Sequence, residues 1–341
     1  MDFFRFSRAT FREAVRQLEW SGAAGMRRGA HGGLVVKAPP RHAIVHALKT
    51  YFELTKVDRR LLDETAATLR AATRIRPDRP ENQATTLFLD ALDSRGLSDL
   101  AEERLAGAGG IKLSETVAQQ LVREIEARNF EQGANLGNEI DLQRRYGISR
   151  AVLREALRPL ELHDIIRVKT GAHGGIIIHG FDPDYTITLA TTYLAFARLP
   201  LSDLWEVQNA LKLVAVEGFV ARADAAKLRL LERALERLEQ ASAPHYLMAA
   251  SEFHLLIADN SGNRAAALFV GVLHRYGLTV LPRPDEAYLP MLKQQHRDLL
   301  EAAIRGDAAS ARASMQAMYD HSRRWIARTE RDMERRAAQS G

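Results

Sequence analysis

Apolar residues recur every three or four positions through most of the chain, which is the spacing of amphipathic α-helices. Between residues 114 and 163 this spacing predicts three short helices. Ser114 is predicted to cap the first helix, and Gly147 is predicted to end the second. The second helix spans about 139–146, with Ile140 and Leu142 expected to turn inward. The third spans about 150–163, and its buried stripe is predicted to consist of Leu153, Ala156, Leu157 and Leu160.

A different pattern follows the third helix. β-Branched residues at 165–169 and 176–178 flank a glycine-rich turn, which predicts a two-stranded ribbon. Three short helices followed by a ribbon is the order of a winged helix-turn-helix domain, whose third helix enters the major groove of DNA by its N-terminal end. Ser149, Arg150 and Arg154 occupy that end. Arginine is suited to bidentate contacts with guanine or phosphate.

From residue 185 to residue 330 the pattern is helical throughout. Seven helices are predicted, at 185–198, 202–222, 226–241, 245–260, 264–277, 289–305 and 308–330. Together with the preceding domain, this predicts a mainly α fold, in which a winged helix-turn-helix domain is followed by an all-α helical bundle.

The chain contains an internal repeat. Residues 7–36 match residues 149–178 without a gap, at an offset of 142 positions, so that Arg8 and Arg12 coincide with Arg150 and Arg154. Residues 82–88 match 263–269 at a larger offset of 181. We interpret the repeat as a duplicated two-domain protein whose first copy is cut short at both ends.

Four segments follow from these patterns. They are a truncated winged-helix remnant over 1–37, a truncated helical segment over 38–108, a complete winged helix over 111–180 and a helical ligand-binding domain over 181–335. The counterparts of the first two winged-helix helices would precede Met1, so the first copy is expected not to bind DNA specifically by itself. Either the duplication has decayed or the start codon lies further upstream, and the sequence leaves both explanations open.

Composition narrows the function classes. The 341 residues include 48 Lys and Arg against 43 Asp and Glu, and the net charge of +5 modestly favours a polyanionic partner. The absence of cysteine excludes disulfide frameworks, Cys-type zinc fingers and thiol catalysis, and suits a reducing cytosol. No apolar run has the length of a membrane span, and a cytoplasmic protein with no membrane partner is expected.

The motif YGISRAVLREAL at 146–157, followed by the glycine-rich wing, resembles the winged-helix domain of GntR-family bacterial transcription regulators. The helical segment after residue 181 resembles the FCD ligand-sensing domain of the FadR-type branch. By this resemblance, the DNA contacts are made by Ser149, Arg150, Ala151, Arg154, Thr170 and Gly171. Ile140 stands where the family often has an arginine, so the family's operator preference does not carry over.

The resemblance also implies a small organic effector, expected to be anionic. Gln208 stands where the family often has an arginine that meets a carboxylate, and Lys212 and Arg297 are candidate replacements for that cation. The candidate ligand-binding residues are His254, His296, Lys212, Gln208 and Asn263.

Many FCD domains bind a metal through an Asp and a His on one helix and one His on each of two later helices. Here His254 and His296 match two of these positions, but Ala250 replaces the Asp and Met318 replaces the last His. His321 lies one helical turn beyond Met318. The candidate ligands for zinc or nickel are therefore His254, His296 and His321, and a metal-free organic pocket is the favoured expectation.

The sequence thus predicts a DNA-binding transcription regulator, a repressor whose affinity for a double-stranded operator is modulated by a small organic carboxylate, and not an enzyme. A helical metal-dependent enzyme using the same three histidines is the alternative, although no matched carboxylate stands beside them as a general base. A nucleic-acid-associated protein without sensing is a third reading. A homodimer through the second copy is expected, since pseudo-palindromic operators mirror two-fold protein symmetry. An intramolecular pair with the first copy is the alternative assembly.

Overall fold

The structure, a computed structural model, is mainly helical and divides into two compact units, each of which combines separate segments of the chain. The first unit comprises residues 1–56 and 93–189, and the second comprises 57–92 and 190–341. The described residues are 22–27, 32–72, 82–93, 113–128, 131–162, 165–169, 174–179 and 183–340, with short pieces of 10–19. Among the helices of these residues, none has both the length and the apolar character needed to cross a membrane.

The secondary structure elements are numbered here in chain order. They are β1 (Ala24–Arg27), β2 (Gly33–Val36), α1 (Arg41–Leu54), α2 (Arg59–Ala72), α3 (Gln83–Leu92), α4 (Leu113–Ala127), α5 (Glu139–Tyr146), α6 (Arg150–Leu162), β3 (Ile166–Lys169), β4 (Gly175–Ile178), α7 (Asp184–Ala197), α8 (Leu201–Val220), α9 (Ala225–Gln240), α10 (Ala243–Asp259), α11 (Arg264–Val280), the 3-10 helix Glu286–Tyr288, α12 (Leu289–Ile304) and α13 (Ala308–Ser340).

The first unit contains the predicted winged helix. Helices α4, α5 and α6 are followed by an antiparallel ribbon in which β3 pairs with β4, from Ile166 opposite Ile178 to Lys169 opposite Gly175. The segment 133–137 pairs along β4 through backbone hydrogen bonds and so extends the ribbon. The predicted stripe of α6 is buried in one apolar core with residues of α4, α5 and the ribbon.

Local signals in the sequence position the third helix of this domain. The Asn138 side chain caps α5 by accepting a hydrogen bond from the backbone N–H of Asp141 at 2.9 Å. Gly147 ends α5 with a left-handed φ of 64°, a conformation that glycine adopts at little cost. The Ser149 hydroxyl accepts from the N–H of Val152 at 3.3 Å and so begins α6. A short, well-defined turn therefore presents the start of α6.

Two details of the sequence analysis are wrong in this domain. Ile140 is not turned inward: 60% of it is exposed, while Leu142 is fully buried. Residues two apart lie on different faces of a helix, so only one of the two can face the core. Ser114 is not a cap either, since α4 already begins at Leu113.

A second ribbon lies in the same unit. Strands β1 and β2 pair antiparallel, from Ala24 opposite Val36 to Arg27 opposite Gly33. Each of these residues precedes its counterpart in β3 or β4 by 142 positions, which is the offset of the sequence repeat. Arg8 and Arg12, the arginines of the first copy, lie outside the described residues.

The second unit is a helical bundle organised around α8, which packs against α10, α11 and α13. All seven helices predicted after residue 184 are present, with ends that differ by a few residues, and α13 continues to Ser340. Phe219, Phe253 and Phe269 are fully buried in the core of this unit. The backbone at Ser261 also approaches α8 closely at Gly218. A Cβ atom added to Gly218 would lie 2.5 Å from the carbonyl oxygen of Ser261.

Gly218→Ala is therefore expected to destabilise the protein by about 1–3 kcal/mol, since the obstructing atom belongs to a backbone and cannot rotate away. Gly277→Ala in α11 is the matched control, because there the nearest atoms are the flexible ends of leucine side chains, at 3.3 Å and beyond. Urea unfolding of both variants measures the difference. Equal free energies of unfolding for the two variants would contradict the close approach.

Candidate DNA-binding face and ligand cavity

The exposed N-terminal end of α6 carries the predicted DNA contacts. Ser149, Arg150, Ala151 and Arg154 are all exposed there. The two arginine side chains are 64% and 59% accessible, and their Nε atoms donate to the two carboxylate oxygens of Glu139 at 3.0 and 3.2 Å. Thr170 and Gly171, the predicted wing contacts, lie outside the described residues. Glu139 thus holds both arginines on one side of the helix end.

The positive charge of the two arginines at this helix end exceeds the negative charge of Glu139. Burial acts to raise the pKa of Glu139, but hydrogen bonds from Arg154 and Arg150 and their positive charges outweigh it, and the pKa is lowered. Glu139 is therefore ionised at neutral pH, and one carboxylate faces two guanidinium groups. A phosphate or a base edge can take the place of this carboxylate when DNA binds.

A hydrogen-bond network behind the face fixes the angle between α4 and α5. Glu124 Oε1 accepts from Arg128 at 2.9 Å and from Arg145 at 2.8 Å, and its Oε2 accepts from the Tyr146 hydroxyl at 2.9 Å. Burial and the neighbouring carboxylate raise the pKa of Tyr146 to about 12, so the hydroxyl stays a donor. Tyr146, the first residue of the sequence motif, is therefore a positioning residue behind the face.

The second unit contains a cavity of about 130 Å³. This volume far exceeds the 10–15 Å³ that one water needs. Helices α8, α10, α11, α12 and α13 contribute to the wall. The cavity brings together five of the residues singled out in the sequence, namely Gln208, Lys212, His254, His296 and His321.

Three buried imidazoles lie close together in the wall. The ring centroid of His254 is 5.0 Å from that of His296 and 5.7 Å from that of His274. Each ring has a buried nitrogen without a hydrogen-bond partner in the described residues: His254 Nδ1, His274 Nε2 and His296 Nε2. Buried polar atoms are rarely left unpaired, so these nitrogens indicate a place for a ligand.

The tautomer of His296 follows from its partner. Its Nδ1 lies 2.7 Å from the carbonyl oxygen of Leu292. A carbonyl only accepts, so Nδ1 carries the proton, and Nε2 of the neutral ring offers a lone pair to the cavity. His274 Nδ1 hydrogen-bonds to the Ser251 hydroxyl. Both His274 and Ser251 line the cavity, and the sequence analysis missed both of them.

The cavity disfavours positive charge on its own side chains. Burial lowers the pKa of Lys212 to about 7 and that of His296 to about 4, and it lowers the pKa of His254 and His274 well below the usual value. No Asp or Glu occurs among the lining residues that the structure describes. The described wall of the cavity therefore contains the amine of Lys212 and no carboxylate.

Both the winged helix and the helical bundle are similar to known protein families. Residues 113–173 match the family of bacterial regulatory proteins named gntR, and residues 203–321 match the FCD domain. The chain is thus similar to GntR-family regulators that carry an FCD domain. The first match covers the winged helix and the second covers most of the bundle that encloses the cavity.

Individual relatives are also regulators. The chain is 30% identical over 151 residues to YcbG of Bacillus subtilis, an uncharacterized HTH-type transcriptional regulator, and the match covers 44% of this chain and 63% of that relative. It is 23% identical over 209 residues to the similarly described YdhC of the same organism, which covers 59% of this chain and 85% of YdhC. The solved structure of Streptococcus agalactiae GntR matches 62% of this chain and 99% of its own, with 25% identity and a TM-score of 0.53. The alternative of a metal-dependent enzyme has no support in these comparisons.

The cavity does not carry the complete metal-binding set that the resemblance implies. Ala250 and Met318 both line the cavity, so the positions of the expected Asp and His present no carboxylate and no imidazole to it. His321 hydrogen-bonds through Nδ1 to the side chain of Gln295. In the part of the chain that the structure describes, no group of three or more His, Cys, Asp or Glu side chains is arranged to hold a metal ion.

Two residues proposed from the sequence lie away from the cavity. Asn263 caps α11, with its Oδ1 accepting from the N–H of Ala266, and its Nδ2 donates to Thr65. Arg297 points to the surface, where it pairs with Glu239 at 2.6 Å. Neither side chain lines the cavity, and among the cationic candidates only Lys212 does.

Proposed function

We propose that this protein is a GntR-family repressor in the cytoplasm, which binds a double-stranded DNA operator through the N-terminal end of α6. A small organic carboxylate in the cavity of the second unit modulates its operator affinity. The observation that carries the ligand class is Lys212, which lines a cavity that has no acidic side chain in its described wall. A carboxylate is the group that would pair with this ammonium and stabilise its charged form.

The imidazoles refine the ligand class. A neutral His296 offers Nε2 as an acceptor, which suits a hydroxyl donor on the ligand rather than a second carboxylate. His254 Nδ1 and His274 Nε2 are also buried without a hydrogen-bond partner in the described residues. A hydroxy acid satisfies both features, with its carboxylate on Lys212 and its hydroxyl group on His296.

A divalent metal such as zinc or nickel is the second candidate occupant. The observation in its favour is the set of three partnerless imidazole nitrogens, since neutral imidazole is a common ligand of both metals. The replacements at Ala250 and Met318 weigh against it, because they remove the carboxylate and the third imidazole of the family's metal-binding set.

Genomic footprinting of the tagged protein, followed by binding measurements on the recovered DNA, tests the proposal. Affinity for the recovered site is expected to change at least several-fold when one hydroxy acid is added, and to stay unchanged with the matching neutral alcohol. A panel with zinc and nickel alone is measured beside it. Specific DNA binding that no carboxylate alters would contradict the sensing part of the proposal, and the absence of specific binding would contradict the regulatory part.

We also propose that the protein forms a homodimer on the operator and that its chain contains a partial duplication. Two recognition helices are needed for a pseudo-palindromic operator, and each chain has one in its described residues, so a homodimer on the operator is expected. The common register of the two ribbons supports the interpretation of the N-terminal part as a partial first copy.

A further inference from the structure

Helices from the N-terminal part of the chain cover one face of the helical bundle in the second unit. Helix α2 packs on both α8 and α11, and α3 packs on α2 and α8. The sequence repeat aligns α2 with the start of α8, at an offset of 142, and α3 with the start of α11, at an offset of 181. The covering helices are therefore the counterparts of the helices that they cover.

One aromatic pair lies where a two-fold axis would place it. The rings of Phe88 and Phe269 stack with centroids 4.0 Å apart and planes 13° from parallel, and both side chains are fully buried. The two residues occupy equivalent positions of the repeat, 181 residues apart. In a two-fold interface, a residue that contacts its own counterpart lies on the axis.

Two asparagines at equivalent positions of the repeat also take part in this contact, away from the axis. Asn82 and Asn263 are equivalent, and each caps its own helix through Oδ1, with N–H···O distances of 3.2 Å from Thr85 and 3.0 Å from Ala266. Each also reaches across with Nδ2. Asn82 donates to the carbonyl oxygen of Asp203, on α8, at 3.0 Å, and Asn263 donates to the hydroxyl of Thr65, on α2, at 3.0 Å.

Apolar burial follows the same symmetry. Leu69 of α2 and Leu87 of α3 are fully buried, and so is Leu211, the counterpart of Leu69. Leu268, the counterpart of Leu87, is buried as well. The contact is thus made of matching apolar residues from two equivalent surfaces, with one asparagine contact in each direction. The two acceptors lie on the equivalent helices α8 and α2, one turn apart in the repeat. This is the composition of a self-complementary interface.

We propose that the face formed by α8 and α11 is a two-fold self-association surface, and that α2 and α3 fill it in the same chain as a built-in partner. The second unit is then an intramolecular pseudo-dimer, and two chains on one operator would meet through other surfaces. This inference does not depend on the effector or on the operator.

A cysteine pair tests whether the contact forms within one chain. The protein has no cysteine of its own, so oxidation of the variant Thr65→Cys/Asn263→Cys can form only the bond across this contact or a link between chains. The expected product is one disulfide within a single chain, seen as a chain of unchanged mass on a non-reducing denaturing gel and as a linked peptide pair in mass spectrometry. The single variant Thr65→Cys is the control and should form no such peptide. A chain dimer linked by this disulfide would overturn the proposal.

A second full-chain variant tests the self-association surface itself. Leu69→Asp disrupts the cover and leaves α8 and α11 unaltered, so the freed face is expected to bind the same face of another copy and to double the particle mass in light scattering relative to the wild type. Leu69→Met keeps the apolar contact and should retain the wild-type mass. An unchanged mass for Leu69→Asp, with its helical circular dichroism intact, would overturn the assignment of the surface.

Discussion

Replacing Arg150 and Arg154 together with alanine is expected to reduce operator affinity by roughly 30-fold to 10,000-fold. Loss of a good bidentate base contact costs about 1–3 kcal/mol, and each 1.4 kcal/mol is a factor of ten in affinity. Both guanidinium groups are exposed at the start of α6, and among the described residues Glu139 is their hydrogen-bond partner. Their loss therefore removes the positive groups nearest to the groove that this helix end would enter.

Fluorescence anisotropy at fixed salt measures this effect, and two controls make it specific. Arg158→Ala removes the exposed arginine one turn further along α6 and should cost much less, because it lies farther from the N-terminal end. Glu139→Gln keeps both arginines and removes the competing carboxylate, so it should not weaken binding to non-specific DNA. Wild-type affinity in both the Arg150→Ala and Arg154→Ala single variants would contradict the assignment of the face.

Lys212→Met is expected to weaken carboxylate binding at pH 7 by roughly 10-fold to 100-fold and to remove its pH dependence. A hydrogen bond to a charged group contributes about 1.5–3 kcal/mol. Burial lowers the pKa of Lys212 to about 7, so the empty protein gains stability as pH rises from about 7 towards the ordinary lysine value. A bound anion needs the protonated amine. Wild-type affinity should therefore fall about tenfold per pH unit above 7 and level off below it.

Isothermal titration in two buffers of different ionisation enthalpy measures the affinity and the proton uptake together. Lys227→Met is the matched control, because this lysine pairs with Asp224 near the start of α9 and lies outside the cavity. A metal occupant has the opposite sign, because the ammonium group of Lys212 repels a cation and loses its charge as pH rises through about 7. Affinity that rises with pH would therefore contradict the anion and favour zinc or nickel.

Local structure was predictable where short-range signals decide it. Gly147 and Ser149 mark the end of one helix and the start of the next, and the structure places both boundaries there. An apolar side chain alone does not predict burial at Ile140, because its spacing from the buried Leu142 places it on another face of α5. Asn263 directly precedes a helix, and this local signal correctly indicates an N-cap rather than a ligand contact.

The cavity was predictable only in part, because its wall joins five helices. Lys212, His254 and His296 were found through the family resemblance, which compares positions along the chain. His274 lies on α11 at a position that the resemblance does not mark, and only the packing of α10 against α11 brings it to within 5.7 Å of His254. Arg297, one residue after His296, shows the converse, since that one step along α12 turns it to the surface.

The covering helices α2 and α3 also determine the shape of the response to an effector. Only residues 73–82 lie between them in the sequence, whereas α9 and α10 lie between their counterparts α8 and α11. The first copy therefore has no equivalent of α10, which supplies Tyr246, Ser251 and His254 to the cavity wall. A pair of this kind binds one effector where a symmetric pair would bind two. The two chains of an operator-bound homodimer would therefore carry two effector sites rather than four. Cooperativity needs at least two coupled sites, so any cooperativity in effector binding must be transmitted between the two chains and not within one of them.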